Sequence, residues 1–397
     1  MLTGHIVAAG GGSRLFYNNG LFVVGPESAG AYPGPACYGH GGPLTITDAN
    51  FFLGRILPDY FARPLDGQAV ETKFHALTHE INAGRRHEDL LTPEQVAMGF
   101  LLVANAAMTR PIRSLSEGRG FETSAHHLVC FGGAGGQHAT AMARDLGIKR
   151  VIIHRYSSIL SAYGMALADV VVDLQEPESI TYSRDASSRI RARFDILKQR
   201  AMGQLLAQGF PTERIVCETY LNMRYRGSDT SLMIKSLPES DDFDREFVER
   251  HRREFGFDQP REILVDDIRV RGIGQSVEMP TANQFAGLKQ IQIGQIEPKP
   301  HGIRKVYFEK QGWLDAKVYH LGTLAKDIRL RGPAMVVDET QTIVLDPDSE
   351  ASILPEHVVI ELLDAKAERI STEEIDPVRL SVFGHRFMSV AEQVWLV

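Results

Sequence analysis

The sequence predicts a mixed α/β core joined to a β-rich module, on three observations. Residues 126 to 155 run as strand, glycine-rich turn, helix and strand. The first 65 residues are dense in glycine and proline around short apolar runs. After Gly272 short strands and turns dominate. At 397 residues the chain has the length for two or three domains.

Taken in order, "GLFVVG" (Gly20 to Gly25) reads as a strand between turns. "ANFFLG" opens a short helix that Asp48 is placed to cap. "TPEQ" starts a long one: Thr92 caps, Pro93 suits the first turn, and Gln95 reaches back as in a capping box. Val96, Phe100, Val103 and Ala107 then recur at helical spacing until Pro111, where the pattern predicts a break or kink. "HHLVCF" (His126 to Phe131), a glycine turn, a helix over His138 to Leu146 and "RVIIHR" (Arg150 to Arg155) make a βαβ unit. Its turn lies at the carboxyl end of a strand, the end at which open α/β sheets take ligands. "SSILSAYGMALADVVVD" leads away from this core.

From Arg184 the character changes. "DASSRIRARFDILKQRAMGQLLAQG" is an amphipathic helix ending at a glycine. "TYLNMRYRG" and "SLMIKSL" read as strands, and "DFDREFVERHRREFG" as a charged, exposed helix. "HGIRKVYFEKQGWLDAKVYH" and "RGPAMVVDETQTIVLDPDSEASIL" supply the β-rich module. The shift places a boundary near Val172 to Ser183.

Composition narrows the function classes. The net charge of −7 gives no general attraction to nucleic acid or to an anionic membrane. No apolar run reaches the ~20 residues that span a bilayer. "MLTGHIVAAGGGS" lacks the pattern of a signal peptide. Cys37, Cys130 and Cys217 are too far apart for a disulfide framework or a CxxC metal site, so a reducing, cytoplasmic setting is expected.

The candidate site centres on Gly132, Gly133, Ala134, Gly135, Gly136, Gln137 and His138. Glycines entering a helix let backbone N–H groups approach an anion, and they also make any tight turn. The spacing fits neither simple nucleotide fingerprint: His138 stands where a Rossmann pattern from Gly133 needs glycine, and no Lys-Ser/Thr follows as in a P-loop. His138 titrates near neutrality in water, suiting a proton carrier or a metal ligand; the plainer reading is a helix-start histidine bonded to a carbonyl. Ala9 to Ser13 make a second glycine turn through Gly11 and Gly12. In "PGPACYGHGGPLTITDAN", Cys37 and His40 sit three apart with Asp48 nearby, too few ligands for zinc. Asp48 either holds a magnesium ion or caps its helix, and Cys37 is either a substrate-site residue or a small buried side chain. Arg224 and Arg226 share one face of a strand, as a carboxylate clamp or as a solvated face.

"VGPESAGAYPGPACYGHGGPLTITDANFFLGRI", "FGGAGGQHATAMARDLGI" and "ILSAYGMALADV" resemble the hydantoinase A / ATP-dependent 5-oxoprolinase family, in order, from about Gly4 to about Leu363. The opening "HIVAAGGGSRLFYNNGLFVVGPESAG" is most similar to the eukaryotic 5-oxoprolinases. The resemblance implies an actin-like ATPase core of the acetate/sugar kinase–Hsp70–actin type over residues 1–175, incomplete at the N-terminus, an α+β, β-rich C-terminal domain over 176–365, and a linker with the start of a further half over 366–397. It implies ATP and Mg²⁺ as cofactors and ring opening of 5-oxo-L-proline or a related cyclic amide. The glycines at 11, 12 and 132–136 and Gln137 would face the nucleotide, and His138 and Asp48 would serve catalysis, Asp48 with the metal. An acidic–glycine loop of the "DMGGTSTD" kind, found upstream in the family, is not in this sequence. "VRLSVFGHRFMSVAEQ" (Val378 to Gln393) resembles the start of a hydantoinase B-like half. The expectation is an internal piece of a larger, homo-oligomeric enzyme, inactive alone.

Overall fold

A computed structural model describes residues 9–118, 120–236, 242–276, 288, 298–363, 378, 380–384 and 387. In chain order the elements are β1 (Ser13–Asn18), β2 (Leu21–Ser28), α1 (Ile46–Phe52), α2 (Gly67–Asn82), α3 (Pro93–Glu117), β3 (Leu128–Cys130), α4 (Ala139–Asp145) and β4 (Arg150–His154). There follow α5 (Leu160–Leu167), β5 (Val170–Thr181), α6 (Arg184–Ala207), β6 (Ile215–Tyr225), β7 (Leu232–Lys235), α7 (Phe243–Phe255) and β8 (Ile263–Gly274). The last stretch holds β9 (Gly302–Phe308), β10 (Gly312–His320), β11 (Ile328–Arg331), β12 (Ala334–Val337), β13 (Thr342–Leu345), β14 (Ser349–Ile353) and β15 (His357–Leu362).

Two compact units share the chain: residues 1–160 with 283–397, and residues 161–282. The second interrupts the first, so packing groups the chain otherwise than the expected segments 1–175, 176–365 and 366–397. Hydrogen bonding gives the reason. β5 pairs antiparallel with β8 from Val170↔Gly274 to Thr181↔Leu264, so a cut near residue 175 would split a strand. Nor is the β-rich stretch a separate module. β15 pairs antiparallel with β4, and β4 parallel with β3, so the order β11-β14-β15-β4-β3 joins late strands to the βαβ unit.

In the discontinuous unit, α1, α2 and α3 bury Phe74, Phe100 and Leu53 against Phe22 of β2. Residues from the C-terminal stretch come back to this core. Ser381 Oγ accepts from Phe22 N at 2.9 Å, and Val378 packs there, so part of the expected 366–397 linker is core; its remaining residues lie outside those described. A second core lies between α4 and the five-stranded sheet, built from Ala143, Val151, Ile153, Leu330 and Ile360. A four-stranded sheet, β13-β12-β10-β9, carries a third around Val306, Met335 and Val344.

The capping box at α3 forms as read: Thr92 N donates to Gln95 Oε1 at 2.9 Å and Gln95 N to Thr92 Oγ1 at 3.3 Å. Pro111 does not end the helix, which runs on to Glu117. Contacts to α4 span the proline, with Thr109 Oγ1 donating to Asp145 at 2.8 Å and Arg113 pairing with the same carboxylate at 3.4 Å. Tertiary packing outweighs the local preference.

Unit 161–282 is an antiparallel sheet, β5-β8-β6-β7, covered by α6 and α7. Its core holds Ile190, Leu197, Tyr225 and Phe247. Gly256, at φ 84°, closes α7 in the left-handed conformation that favours glycine. Arg224 pairs with Asp266 at 2.8 Å and Arg226 with Glu262 at 2.7 Å, so both guanidinium groups have carboxylates within their own unit.

Candidate functional site

Asp48 sits third in α1 and is fully buried. Thr45 caps the helix, and the two side chains form a reciprocal box. The carboxylate accepts from Thr45 N at 2.8 Å, Thr45 Oγ1 at 2.9 Å, Ala36 N at 3.0 Å and Cys37 N at 2.7 Å. Four donors engage both oxygens. The capping reading therefore fits this geometry: Asp48 fastens the loop carrying Cys37 to the start of α1. Cys37 is buried beside that charge, and both burial and the carboxylate push its thiol up, away from the nucleophilic form. His40 is exposed and rests against Tyr32, ring centroids 5.7 Å apart. Among the described residues no group of three or more His, Cys, Asp or Glu side chains is placed to hold a metal ion.

The glycine turn is packed at its helix end: Gly136 is buried, whereas Gly132, Gly133 and Gly135 are half-buried and Ala134 is exposed. Gly132 takes φ 95°, which favours glycine, and its N–H donates to Ser157 O at 2.7 Å. The amides of Gly135, Gln137 and His138 donate within the turn at 3.0 to 3.2 Å. A Cβ on Gly133 would stand 2.7 Å from Thr340 O, and one on Gly136 2.7 Å from Thr342 O. At Gly135 it would meet Cys130 Sγ at 2.6 Å. These glycines thus admit the backbone that leads into β13. At Gly11 and Gly12 the same atom would meet Thr47 Oγ1 at 2.7 Å and Ser28 Oγ at 3.0 Å. Gln137, expected to face the nucleotide, and His138, expected to serve catalysis, are both buried.

His138 joins three helices. It caps α4, its Nδ1 lies 2.8 Å from Asn105 Oδ1 on α3, and its Nε2 lies 3.2 Å from Asn50 Nδ2 on α1. An amide oxygen only accepts, so Nδ1 carries the hydrogen and Nε2 accepts from Asn50, the tautomer this network assigns. Burial, and secondarily the Arg55 guanidinium, lower its pKa to about 4. The ring is neutral at pH 7, which removes it as a proton donor there.

Arg55, Asn50 and Asn105 complete a polar cluster that motif reading did not single out. Arg55 is 7 % exposed, donates to Tyr307 O at 3.3 Å and lies over the Phe308 ring. It makes no ion pair among the described residues, and burial lowers its pKa against the pull of Asp346 and Glu309. Spacing held a signal for part of this: Asn50 and Asp48 alternate faces on a seven-residue helix, and Asn105 interrupts the apolar run of α3. Arg55 follows α1 in an apolar setting.

A buried neutral imidazole tying the glycine turn to two helices, beneath a mixed sheet, defines an α/β scaffold. Two family models match it: Hydantoinase/oxoprolinase over residues 1–174, and Hydantoinase/oxoprolinase C-terminal domain over residues 288–365. The chain belongs to the hydantoinase/oxoprolinase family. It is 48 % identical to a 5-oxoprolinase of Dictyostelium discoideum across 98 % of its own length, and spans 31 % of that relative. The nucleotide-free structure of an ATP-dependent acetone carboxylase shares the fold at TM-score 0.72 and 23 % identity, over 89 % of this chain and 52 % of that one. The ATP-dependent caprolactamase of Pseudomonas jessenii matches at TM-score 0.62 and 27 % identity, over the same 89 % and 52 %.

Proposed function

We propose that this chain is the scaffold-bearing third of an ATP-dependent 5-oxoprolinase, which opens 5-oxo-L-proline to L-glutamate with conversion of ATP to ADP and phosphate. The observation that carries the reading is 48 % identity to a 5-oxoprolinase along nearly the whole chain, against 27 % to the caprolactamase. An amide is a poor electrophile, so ring opening needs its carbonyl activated, and dependence on ATP answers that need. An actin-like core, Mg²⁺, a cytoplasmic setting, a hydantoinase B-like partner half and homo-oligomeric assembly belong to the same proposal.

The roles of this chain's residues within it are positional. The Asn50–His138–Asn105 bridge sets the glycine turn against α1 and α3, and Asp48 sets the loop around Cys37. Neither arrangement offers a free carboxylate or a neutral-pH acid. A related hydantoinase or ketone-carboxylase subunit is the second reading, favoured by the shared fold with acetone carboxylase.

Glutamate release with ATP and Mg²⁺ tests this. The 397-residue chain is expected to bind nucleotide weakly or not at all and to release none. Joined to the remaining two thirds of the Dictyostelium relative, it should release glutamate and leave caprolactam untouched. Turnover by the chain alone would overturn the positional roles. Caprolactam opening without glutamate release would overturn the substrate.

A further inference from the structure

We propose, resting on the ATP-dependent reading above, that Gln341 is a positioning residue, which fixes the crest of the glycine turn, Gly132 to Ala134, against the nucleotide. Gln341 immediately precedes β13 and is 5 % exposed. Both hydrogens of its side-chain amide are taken. Nε2 donates to Arg155 O at 2.6 Å and to Asp338 Oδ2 at 2.7 Å, and Oε1 accepts from Ser157 Oγ. Two acceptors face the nitrogen, so the amide has one orientation.

The hairpin closes without this side chain. Asp338 N donates to Gln341 O at 3.1 Å, and Asp338 Oδ1 accepts from Thr340 N at 2.7 Å and Gln341 N at 3.0 Å. What the Gln341 amide adds is a tie to residues 155–157, the turn after β4. That turn in turn holds the glycine turn, since Gly132 N donates to Ser157 O at 2.7 Å. A second tie runs beside the first. Thr340 Oγ1 gives its hydrogen to Asp338 Oδ1 at 2.9 Å and so accepts from Ser158 Oγ at 2.6 Å.

The direct link is weaker: Thr342 N reaches Gly133 O only at 3.4 Å. Ser157 therefore carries the placement of Gly132, and Gln341 carries that of Ser157. A buried network with its donors and acceptors matched specifies a single geometry. Ala134 at the crest is exposed, so its position follows from what holds Gly132.

Two measurements test this. Backbone hydrogen exchange in the 397-residue chain reads the placement, and kinetics of the chain joined to the remaining two thirds of the Dictyostelium relative read its use. Gln341→Leu should speed exchange of the Gly132 amide at least tenfold, and Ser157→Ala, which removes one hydroxyl, should speed it less. The ladder amides of β14 and β15 should stay within twofold in the milder variant. In the joined enzyme Gln341→Leu should raise the KM for ATP at least tenfold and leave the KM for 5-oxo-L-proline within twofold, a split that general loss of fold does not give. Gln341→Glu alone sets two carboxylates together. Adding Asp338→Asn lets the new amide donate to the new carboxylate and should recover at least threefold. Unchanged Gly132 exchange in both variants would overturn the placement, and equal rises in the two KM values would overturn its link to the nucleotide. A native joined enzyme that releases no glutamate would strike the 5-oxoprolinase reading instead, and the Gly132 exchange still decides the placement.

Discussion

His138 binds its proton more weakly in the folded chain than in the unfolded one, with a pKa near 4 against an ordinary 6.5. As pH falls the unfolded chain protonates first. The stability that the neutral ring supports is complete above about pH 6.5 and is lost as pH falls towards 4, a loss on the order of 3 kcal/mol. Urea midpoints at pH 7.5 and 4.5 should therefore fall further for the native chain than for His138→Gln, and equal falls would contradict the assignment. Asp48→Asn retains one acceptor oxygen and turns an NH₂ group toward the donors of the other, one on the Oδ1 side or three on the Oδ2 side. It should cost about 2–4 kcal/mol, read as a lower melting temperature; a cost under about 1 kcal/mol would show that the carboxylate is dispensable. The sequence named both residues, because histidine and aspartate stand out near glycine turns. It did not name Asn105 or Arg55, whose partners at 50, 138 and 307 are distant in the chain and meet only in the folded unit.

At the scale of elements, local signals sufficed wherever the chain's own neighbours decide. The Thr92–Gln95 box, the parallel β3–α4–β4 unit and the glycine end of α7 all follow from spacing and caps. Pro111 and the glycine turn were read less well, since each is set by an element far away in sequence. Contacts from α3 to Asp145 span the proline, and residues 340–343 fill the space beside Gly133 and Gly136. The two kinds of glycine can be told apart by substitution. Gly136→Ala drives a Cβ to 2.7 Å from Thr342 O and should cost about 1–3 kcal/mol in chemical denaturation. Gly10→Ala meets nothing within 4 Å and should stay within about 0.5 kcal/mol. Equal costs would show that packing against β13 is not what demands glycine.

For the whole molecule, the α/β class was legible because strand and helix periods are local, whereas the division into units was not. Composition marks where character changes, near residue 184, but hydrogen bonding places β5 with β8 and returns β14 and β15 to β4. Residues 161–282 hold their own sheet and core, so that segment expressed alone should unfold cooperatively by circular dichroism; a gradual, sloping melt would show that it depends on the rest. The interrupted connectivity also bears on how the protein is made. β15 leaves the ribosome about 200 residues after β4, the partner it lies beside from His154↔His357 to Arg150↔Glu361. At 5–20 residues per second that is an interval of roughly 10–40 s. Throughout it the nascent β3–β4 pair waits without its neighbour while the intervening unit completes its own sheet. Synthesis order thus completes the sheet of the inserted unit before the host sheet can receive β11, β14 and β15.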